Sequence, residues 1–236
     1  MIFTTVIIAL ALLAALTIFT NKLTVPAAAA GVVIGIAVFL GTSFSGLFML
    51  SGFFIAGTWA TRHHKRFKVS IGLEEKNAGR RNINQVFANG GIAALCGIGA
   101  FLSPQNSDLL RLMLASSLAS ATADTLSSEL GNVYGKKFYN IISFKPDRRG
   151  LDGVVSLEGT LCGIGGALFI GLISTFVFPG IKYPILVVLS GILGNVTDSV
   201  FGASLQRQGL LNNDGVNFLN TLISAGFSLC IFFINA

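Results

Sequence analysis

Long apolar stretches, separated by short polar segments, dominate the hydrophobic pattern of this chain. A transmembrane β-strand would alternate apolar and polar residues over about ten positions, and these stretches do not. Each is long enough to cross a bilayer as an α-helix, which needs about 20 residues and satisfies its own backbone hydrogen bonds in lipid. The pattern therefore predicts eight membrane spans, near residues 1–20, 25–41, 44–60, 83–102, 108–130, 155–178, 182–205 and 217–235.

The composition agrees with this reading, since 53% of the residues are hydrophobic, 11% are charged and the mean hydropathy is +0.76. These values lie outside the usual range for soluble domains. Eight spans and their connections fill all 236 residues. The predicted fold class is therefore an all-α polytopic membrane protein, with about eight transmembrane helices in one bundle and a single domain over 1–236. Its three cysteines are scattered through apolar spans, which fits neither a disulfide framework nor a metal cluster.

Basic residues are distributed unevenly between the two sides that eight spans would create. Of the 16 lysines and arginines, all except Arg111 and Lys182 fall on one side. That side is expected to be cytoplasmic, with both termini outside, because basic residues near span ends resist translocation. We expect a prokaryotic inner-membrane protein whose net charge of +6 reflects this topology and anionic lipid headgroups, not a nucleic-acid partner. One cytoplasmic connection alone holds Arg62, Lys65, Arg66, Lys68, Lys76, Arg80 and Arg81.

Acidic residues are few, and several lie toward the cytoplasmic ends of spans. A carboxylate inside a span costs about 3 kcal/mol or more, so it marks a polar cavity, an ionic partner or a metal. On the predicted topology these side chains lie at the depth of the basic loops, and we expect both to share one cytoplasm-facing cleft. The acidic residues concerned are Asp124, Glu129, Glu158, Asp198 and Asp214.

Three spans carry one polar helix face each, because their polar or small residues recur every three or four positions. For serines and glycines alone, helix packing is the favoured interpretation. For Asp124 and Asp198 a functional site is favoured, and an ion pair with Arg80 or Arg81 is the main alternative. The faces consist of Ser116, Ser120, Asp124, Ser127 or Ser128, and Gly131 in the fifth span, Gly194, Asp198, Gly202 and Gln206 in the seventh, and Arg81, Gln85 and Asn89 in the fourth.

Carboxylates beside cations and glycine-rich turns suit phosphoryl transfer, in which carboxylates hold Mg²⁺ and basic residues meet the phosphate oxygens. Segments 124–137 and 145–160 together contain all three features. The chain has no Walker-type P-loop, which excludes a soluble NTPase fold. Carboxylates and glycines in membrane helices also build ion-coupled transporters, and this alternative stays open here.

Several spaced motifs resemble known lipid kinases. Asp124, the Gly131–Gly135 pair and Glu158-Gly159-Thr160 resemble the signature of CTP-dependent polyprenol kinases such as dolichol kinase. Val155 departs from it, since dolichol kinases carry a lysine there. A closer resemblance is to the phytyl-phosphate kinase family of membrane proteins. It extends over 79–221, the candidate catalytic core, and leaves the three N-terminal spans in 1–60 uncovered; its segments are 79–90, 123–131, 153–160, 198–206 and 213–217.

This resemblance implies transfer of a phosphate from CTP to a prenyl monophosphate such as phytyl phosphate, with Mg²⁺, at the cytoplasmic face. An alcohol acceptor is the alternative within the same class. The expected partners are thus a prenyl-phosphate lipid, a nucleotide and membrane lipids. The expected catalytic residues are Asp124, Glu129, Glu158 and Asp198, with the metal at Asp124, Asp198 and Glu129. Substrate and nucleotide binding is expected at Arg80, Arg81, Gln85, Asn89, Ser128, Gly131, Lys136, Lys145, Arg148, Ser156, Thr160, Gln206, Asn213, Asp214 and Asn217.

Overall fold

Eight α-helices form most of the computed structural model, which describes residues 1–73 and 79–234. Lys76 and the last residue of the eighth predicted span lie outside these ranges. Two short β-strands, β1 (Tyr139–Asn140) and β2 (Val154–Val155), pair antiparallel. A 3₁₀ turn spans Pro104–Asn106 and a π-helical turn spans Gly202–Gln206. The helices are α1 (Ile2–Phe19), α2 (Val25–Arg62), α3 (Lys65–Ser70), α4 (Ile83–Leu102), α5 (Ser107–Tyr134), α6 (Leu157–Ser174), α7 (Lys182–Phe201) and α8 (Asn213–Ile234).

Helix α2 contains two of the predicted spans. Its 38 residues would extend about 57 Å if straight, nearly twice the hydrocarbon thickness of about 30 Å. The chain instead turns back at Ser43, where φ is 55° and ψ is −141°. Beyond the turn, a Cβ built on Gly46 would lie only 2.8 Å from Val38 Cγ1. Residues 25–42 and 44–62 are therefore two arms of a helical hairpin.

The predicted all-α polytopic fold is confirmed. Every predicted span coincides with a helix or with one arm of α2. Within the described residues, six helices are long and apolar enough to cross a membrane: α1, α2, α4, α6, α7 with its π-helical end, and α8. Helix α5 is less apolar and is not among them, although it occupies the fifth predicted span.

Helix α5 lies at the centre of the bundle and packs against α2, α4, α6, α7 and α8. Its middle is built of small side chains, and Ser116, Ser117, Ser120 and Thr122 are almost fully buried. Small residues let neighbouring helices approach closely. A Cβ on Gly191 of α7 would lie 2.8 Å from the Ala119 Cβ, so the two helices are nearly in backbone contact there.

One end of the bundle gathers the polar connections. The amino ends of α4, α6 and α8 meet the carboxyl ends of α5 and α7 there, around a common cavity. The β1–β2 ribbon and the loop between its strands lie at this end, where the Arg149 guanidinium donates to the Gly135 carbonyl (2.8 Å). Most of the basic residues lie at this end, as the sequence predicts. That this end faces the cytoplasm stays a prediction.

Candidate functional site

A polar cavity of about 290 Å³ opens at the basic end of the bundle. Polar helix faces predicted from the sequence turn toward it from α4, α5 and α7, and the amino end of α8 closes another side. The structure therefore brings together residues far apart in the chain. The predicted site residues that line the cavity are Arg81, Gln85, Asn89, Asp124, Ser128, Glu129, Gly131, Ser156, Asp198, Gln206, Asn213 and Asn217.

Asp124 of α5 and Asp198 of α7 lie next to each other in this cavity, with their carboxyl groups within hydrogen-bonding distance. Two carboxylates this close repel each other unless a proton or a cation lies between them. In the part of the chain that the structure describes, neither carboxyl forms an ion pair with a lysine or arginine. The alternative of an ion pair with Arg80 or Arg81 is therefore not what holds these carboxylates.

Helix α8 supports the carboxyl pair from behind. The Asn220 side-chain amide donates to Asp198 Oδ1 (2.7 Å), and its oxygen accepts from the Ser120 hydroxyl (3.0 Å). Asn220 and Ser120 are fully buried. One turn further on, the Ser224 hydroxyl lies 2.8 Å from each of two backbone carbonyls, those of Ser116 and Ser190. This chain of hydrogen bonds fixes the orientation of Asp198 and ties α5, α7 and α8 together.

Glu129 lines the cavity, but its carboxylate also contacts the Lys68 ammonium. Lys68 is 3% exposed and donates to the carbonyls of Ala60 (2.8 Å) and Thr61 (3.2 Å). The lysine therefore joins the end of α2, α3 and α5. One oxygen of Glu129 is engaged in this ion pair, so Asp124 and Asp198 are better placed than Glu129 to hold a metal.

The amino end of α4 presents the cation of the site. Asn82 and Gln85 form a capping box that starts the helix directly after Arg81. The Arg81 guanidinium stacks on the rings of Phe53 (5.2 Å) and Phe54 (5.9 Å). A Cβ on Gly57 would overlap the end of the Arg81 guanidinium, so the glycine leaves room for the arginine in this position. These contacts place Arg81 at the cavity wall.

Asn89 lies one turn beyond Gln85 on the same helix face. Its side-chain nitrogen donates to the Gln85 carbonyl (2.9 Å). Its side-chain oxygen is buried and has no hydrogen-bond partner among residues 1–73 and 79–234. Since a buried carbonyl without a partner costs about 1–3 kcal/mol, this oxygen is an acceptor suited to a donor group or a cation.

The loop before α6 packs on the π-helical end of α7. Gly153 has a φ of 69°, which favours glycine, and a Cβ on it would overlap Ala203. The Arg207 guanidinium donates to the Asp152 carbonyl (2.7 Å) and to the Asp147 carboxylate (2.8 Å). The backbone N–H of Arg148 and then the side chain of Arg207 hold the pKa of Asp147 below its ordinary value. These contacts shape the cavity rim.

Several glycines of the kinase-like motif serve helix packing. A Cβ on Gly131 of α5 would lie 3.0 Å from the Gly159 Cα of α6. Gly163 and Gly166 continue the same stripe against residues 122–127 of α5. Gly131 is therefore both a packing position and part of the cavity lining. The favoured interpretation of glycine stripes as packing devices agrees with this geometry.

The two carboxylates fit a magnesium ion. No group of three or more His, Cys, Asp or Glu side chains that could hold a metal occurs among the described residues. Mg²⁺ requires fewer protein ligands, because it is usually bound through one or two carboxylates, with waters and substrate phosphates completing its shell. Asp124 and Asp198 supply such a pair, in a cavity open enough to admit phosphates.

Comparison with known proteins identifies the family. Residues 8–225 match the family described as integral membrane protein DUF92. This chain belongs to the DUF92 family. The DUF92 chain is 37% identical to an uncharacterized membrane protein of Methanocaldococcus jannaschii over 194 residues, 80% of this chain and 77% of that protein. It is 32% identical to an uncharacterized membrane protein of Synechocystis over 208 residues, covering 84% and 78%.

A plant relative connects the DUF92 chain with the sequence motifs. The DUF92 chain is 36% identical to Protein VTE6, chloroplastic, of Arabidopsis thaliana over 198 residues, which cover 79% of this chain. The match spans 58% of VTE6, a little over half of that protein's length. It supports the relation to the phytyl-phosphate kinase family that the motifs predict. No solved structure matches the chain.

Some predicted site residues of this DUF92 protein lie outside the cavity lining. Glu158, in the first turn of α6, accepts from the Lys136 backbone N–H (3.3 Å). The Arg80 side chain donates to the Leu23 carbonyl (3.0 Å), and the Thr160 hydroxyl donates to the Ser156 carbonyl (3.0 Å). Four others belong to loops or to a different groove: Lys136, Lys145, Arg148 and Asp214.

Sequence reasoning missed other residues that the DUF92 fold brings to the site. Asn195 and Asp152 line the cavity, and Asn220 supports Asp198. A signal for Asn220 was present, because residues 213, 217, 220 and 224 are polar and repeat every three or four positions on α8. For Asp152 there was none, since its position depends on how a loop packs against α7.

Proposed function

We propose that this chain is a prenyl-phosphate kinase, which transfers the γ-phosphoryl group of CTP to a prenyl monophosphate such as phytyl phosphate at the cytoplasmic face of the membrane. The observation that carries the proposal is the Asp124–Asp198 carboxyl pair beside Arg81 in a polar cavity at the bundle end. The motif resemblance and the similarity to VTE6 support it. The other relatives named above are uncharacterized membrane proteins.

The reaction needs no strong general base. An oxygen of the acceptor monophosphate, already ionised at neutral pH, forms a bond to the γ-phosphorus. The bond from that phosphorus to the β,γ-bridging oxygen breaks, and CDP leaves with the electron pair. Catalysis of this kind is mainly positioning and neutralisation of charge. An acceptor alcohol would instead have to lose a proton.

The roles of the residues follow from their positions. Asp124 and Asp198 would hold Mg²⁺, which would supply positive charge to neutralise the donor phosphates. Arg81, held against Phe53 and Phe54, binds the acceptor phosphate. Asn220 orients Asp198 from behind.

The size of the cavity suits the reacting groups alone. Its volume of about 290 Å³ lies just below the range of about 300–1,000 Å³ typical of ligand pockets. The phosphates would lie inside, the nucleotide base toward the aqueous rim, and the prenyl tail in the membrane between helices. The apolar tail therefore needs no polar recognition.

Asp124→Asn tests the proposal. It removes one of the two carboxylates, and we expect substrate-dependent CDP release by the purified protein to fall by about a hundredfold or more, as for loss of a group that stabilises transition-state charge. The measurement is CDP release in detergent micelles with Mg²⁺, CTP and phytyl phosphate. Replacing CTP by ATP tests which nucleotide is the phosphate donor, and replacing phytyl phosphate by phytol tests whether the acceptor is the monophosphate or the alcohol.

Asp108→Asn is the matched control, because Asp108 is an exposed carboxylate at the other end of α5. It should retain wild-type activity. Full activity in Asp124→Asn would refute the assigned site. Solute uptake into sealed liposomes, without nucleotide turnover by the wild-type protein, would refute the kinase and favour an ion-coupled transporter.

A further inference from the structure

A second cavity lies outside the catalytic one, between α1 and the two arms of α2. It is an open groove of about 910 Å³, and most of its lining is apolar. Four basic side chains line one end of it: Lys22, Arg62, His63 and His64. A long apolar groove with a cationic mouth is complementary to an amphiphile with hydrocarbon tails and an anionic headgroup.

The packing of α1 creates this groove. Leu10 of α1 rests on α2 at Gly35, where an added Cβ would lie 2.9 Å from the leucine Cδ2. Nearer the basic end, α1 and α2 separate, and a Cβ on Gly31 would meet no atom within 4 Å. The Arg62 guanidinium donates to the Thr20 carbonyl (3.1 Å) and so fixes the mouth of the groove. The gap is therefore a fixed feature of the hairpin.

In residues 1–73 and 79–234, the basic side chains at the mouth lack acidic partners. Among the described residues, no carboxylate forms an ion pair with Lys22, Arg62, His63 or His64. Burial lowers the pKa of Lys22, and the positive charge of Arg62 lowers it further. Like charges held together favour an anion between them. Basic residues near a membrane surface attract anionic lipid headgroups.

The groove and the catalytic cavity lie on different faces of α2. Gly57 and Thr61 face Arg81 and the catalytic cavity. Thr58 and Arg62, one position further along the helix in each case, line the groove. A phosphate bound between Lys22 and Arg62 would thus have α2 between it and the Asp124–Asp198 pair. This separation favours a resident membrane lipid over the phosphate acceptor as the occupant.

We propose that the groove between α1 and α2 is a binding site for an anionic membrane phospholipid, with its phosphate at Lys22 and Arg62 and its acyl chains along the apolar wall. The site is independent of the proposed kinase activity. Its readout is bound lipid, which requires neither nucleotide nor turnover, so failure of either proposal leaves the other intact.

The first test changes the charge of the mouth. Protein purified from equal amounts of phosphatidylglycerol and phosphatidylcholine is examined by native mass spectrometry for bound lipid. We expect the wild type to retain phosphatidylglycerol about tenfold over phosphatidylcholine, and the Lys22→Gln/Arg62→Gln double variant to lose this preference. Arg66→Gln/Lys137→Gln, which removes two exposed charges at the same end, should keep it.

The second test fills the groove. Gly31→Phe places a ring in the open space and should expel bound phospholipid of either headgroup. Gly165→Phe is the matched control, because a Cβ at Gly165 of α6 also meets nothing within 4 Å, and this residue does not line the groove. It should bind lipid as the wild type does.

Four results would overturn the proposal. They are equal retention of both phospholipids by the wild type, an unchanged preference in the Lys22→Gln/Arg62→Gln protein, wild-type lipid retention in Gly31→Phe, and displacement of phosphatidylglycerol by equimolar phytyl phosphate. The last would make the groove the acceptor site. Arg62→Lys, which keeps the charge, should retain the preference, and this separates loss of charge from misfolding.

Discussion

Helices α1 and α5 come from the same chain and cross the same bundle, yet they are built in opposite ways. Val6 is the one buried residue of α1, and most of its other apolar side chains are exposed. Helix α5 is rich in serine, threonine and alanine, and its middle is completely covered by other helices. In this bundle, polar side chains are therefore concentrated on the helix that other helices surround, and apolar side chains on the helix that faces lipid.

The difference decides which interactions matter in each region. Around α5, a buried polar group is costly without a partner, because no water is present at membrane depth to replace it. Side chains such as Ser120, Asn220 and Ser224 supply those partners to one another and to the backbone. Around α1, apolarity alone is enough. Substitutions at interior polar positions should therefore have large effects, and comparable changes at the periphery small ones.

Lys68→Met is expected to have the largest effect on stability. It removes the buried ammonium that contacts Glu129 and leaves that carboxylate, whose side chain is 16% exposed, without its counter-charge. Breaking a buried ion pair from one side costs about 3–5 kcal/mol, and the residual exposure of Glu129 places this case near 3 kcal/mol. The free energy of unfolding in mild detergent, measured by denaturant titration, checks the value.

The exposed pair between Asp108 and Arg111 provides the contrast. Its atoms are 3.7 Å apart and its side chains are 74% and 37% exposed. Asp108→Asn should therefore change the free energy of unfolding by about 1 kcal/mol or less. If Lys68→Met changed the free energy of unfolding as little as Asp108→Asn does, the ion pair between Lys68 and Glu129 would not stabilise the interior.

Lys68 also illustrates what the sequence alone can reveal. The eight spans can be predicted from hydropathy. The proximity of Asp124 and Asp198 can be predicted because both lie toward the same membrane surface on their predicted helices. The ion pair between Lys68 and Glu129 does not follow, because Lys68 lies in a basic connection that reads as a solvated loop. Arg148 does not line the cavity, and the sequence could not show this either, because contacts such as that of Asp147 with Arg207 determine the path of the loop.

Gly97→Ala tests the interior by overpacking. Helix α4 crosses α2 at Gly97, so closely that the Cβ of an alanine there would lie 2.9 Å from the Ala37 carbonyl carbon. Backbone atoms cannot yield as a flexible side chain can, and we expect a loss of about 1–3 kcal/mol in the free energy of unfolding. Gly91→Ala, on the same helix, meets no atom within 4 Å and should be neutral or stabilising by up to about 1 kcal/mol. Equal effects of the two substitutions would contradict the close crossing.

Asn220→Ala should have a smaller effect than Lys68→Met or Gly97→Ala. We expect it to change catalysis more than the free energy of unfolding. Asn220 is a positioning residue, since it acts by holding Asp198. Loss of a hydrogen bond behind a metal ligand weakens metal affinity by about 10–100-fold, and because Asp198 keeps Asp124 beside it we expect about tenfold. The Mg²⁺ concentration that gives half-maximal CDP release should rise by this factor.

Thr221→Ala separates positioning from general loosening of α8. Its hydroxyl is buried beside Asn220 and lies within hydrogen-bonding distance of the Ala88 carbonyl (3.3 Å) and the Phe218 carbonyl (2.8 Å), with no contact to Asp198. The substitution should lower the free energy of unfolding by about 1 kcal/mol and leave the Mg²⁺ dependence unchanged. If Thr221→Ala shifted the Mg²⁺ requirement as far as Asn220→Ala, the buried polar network would act only as a packing device, and the polar interior would differ from the apolar periphery in stability alone.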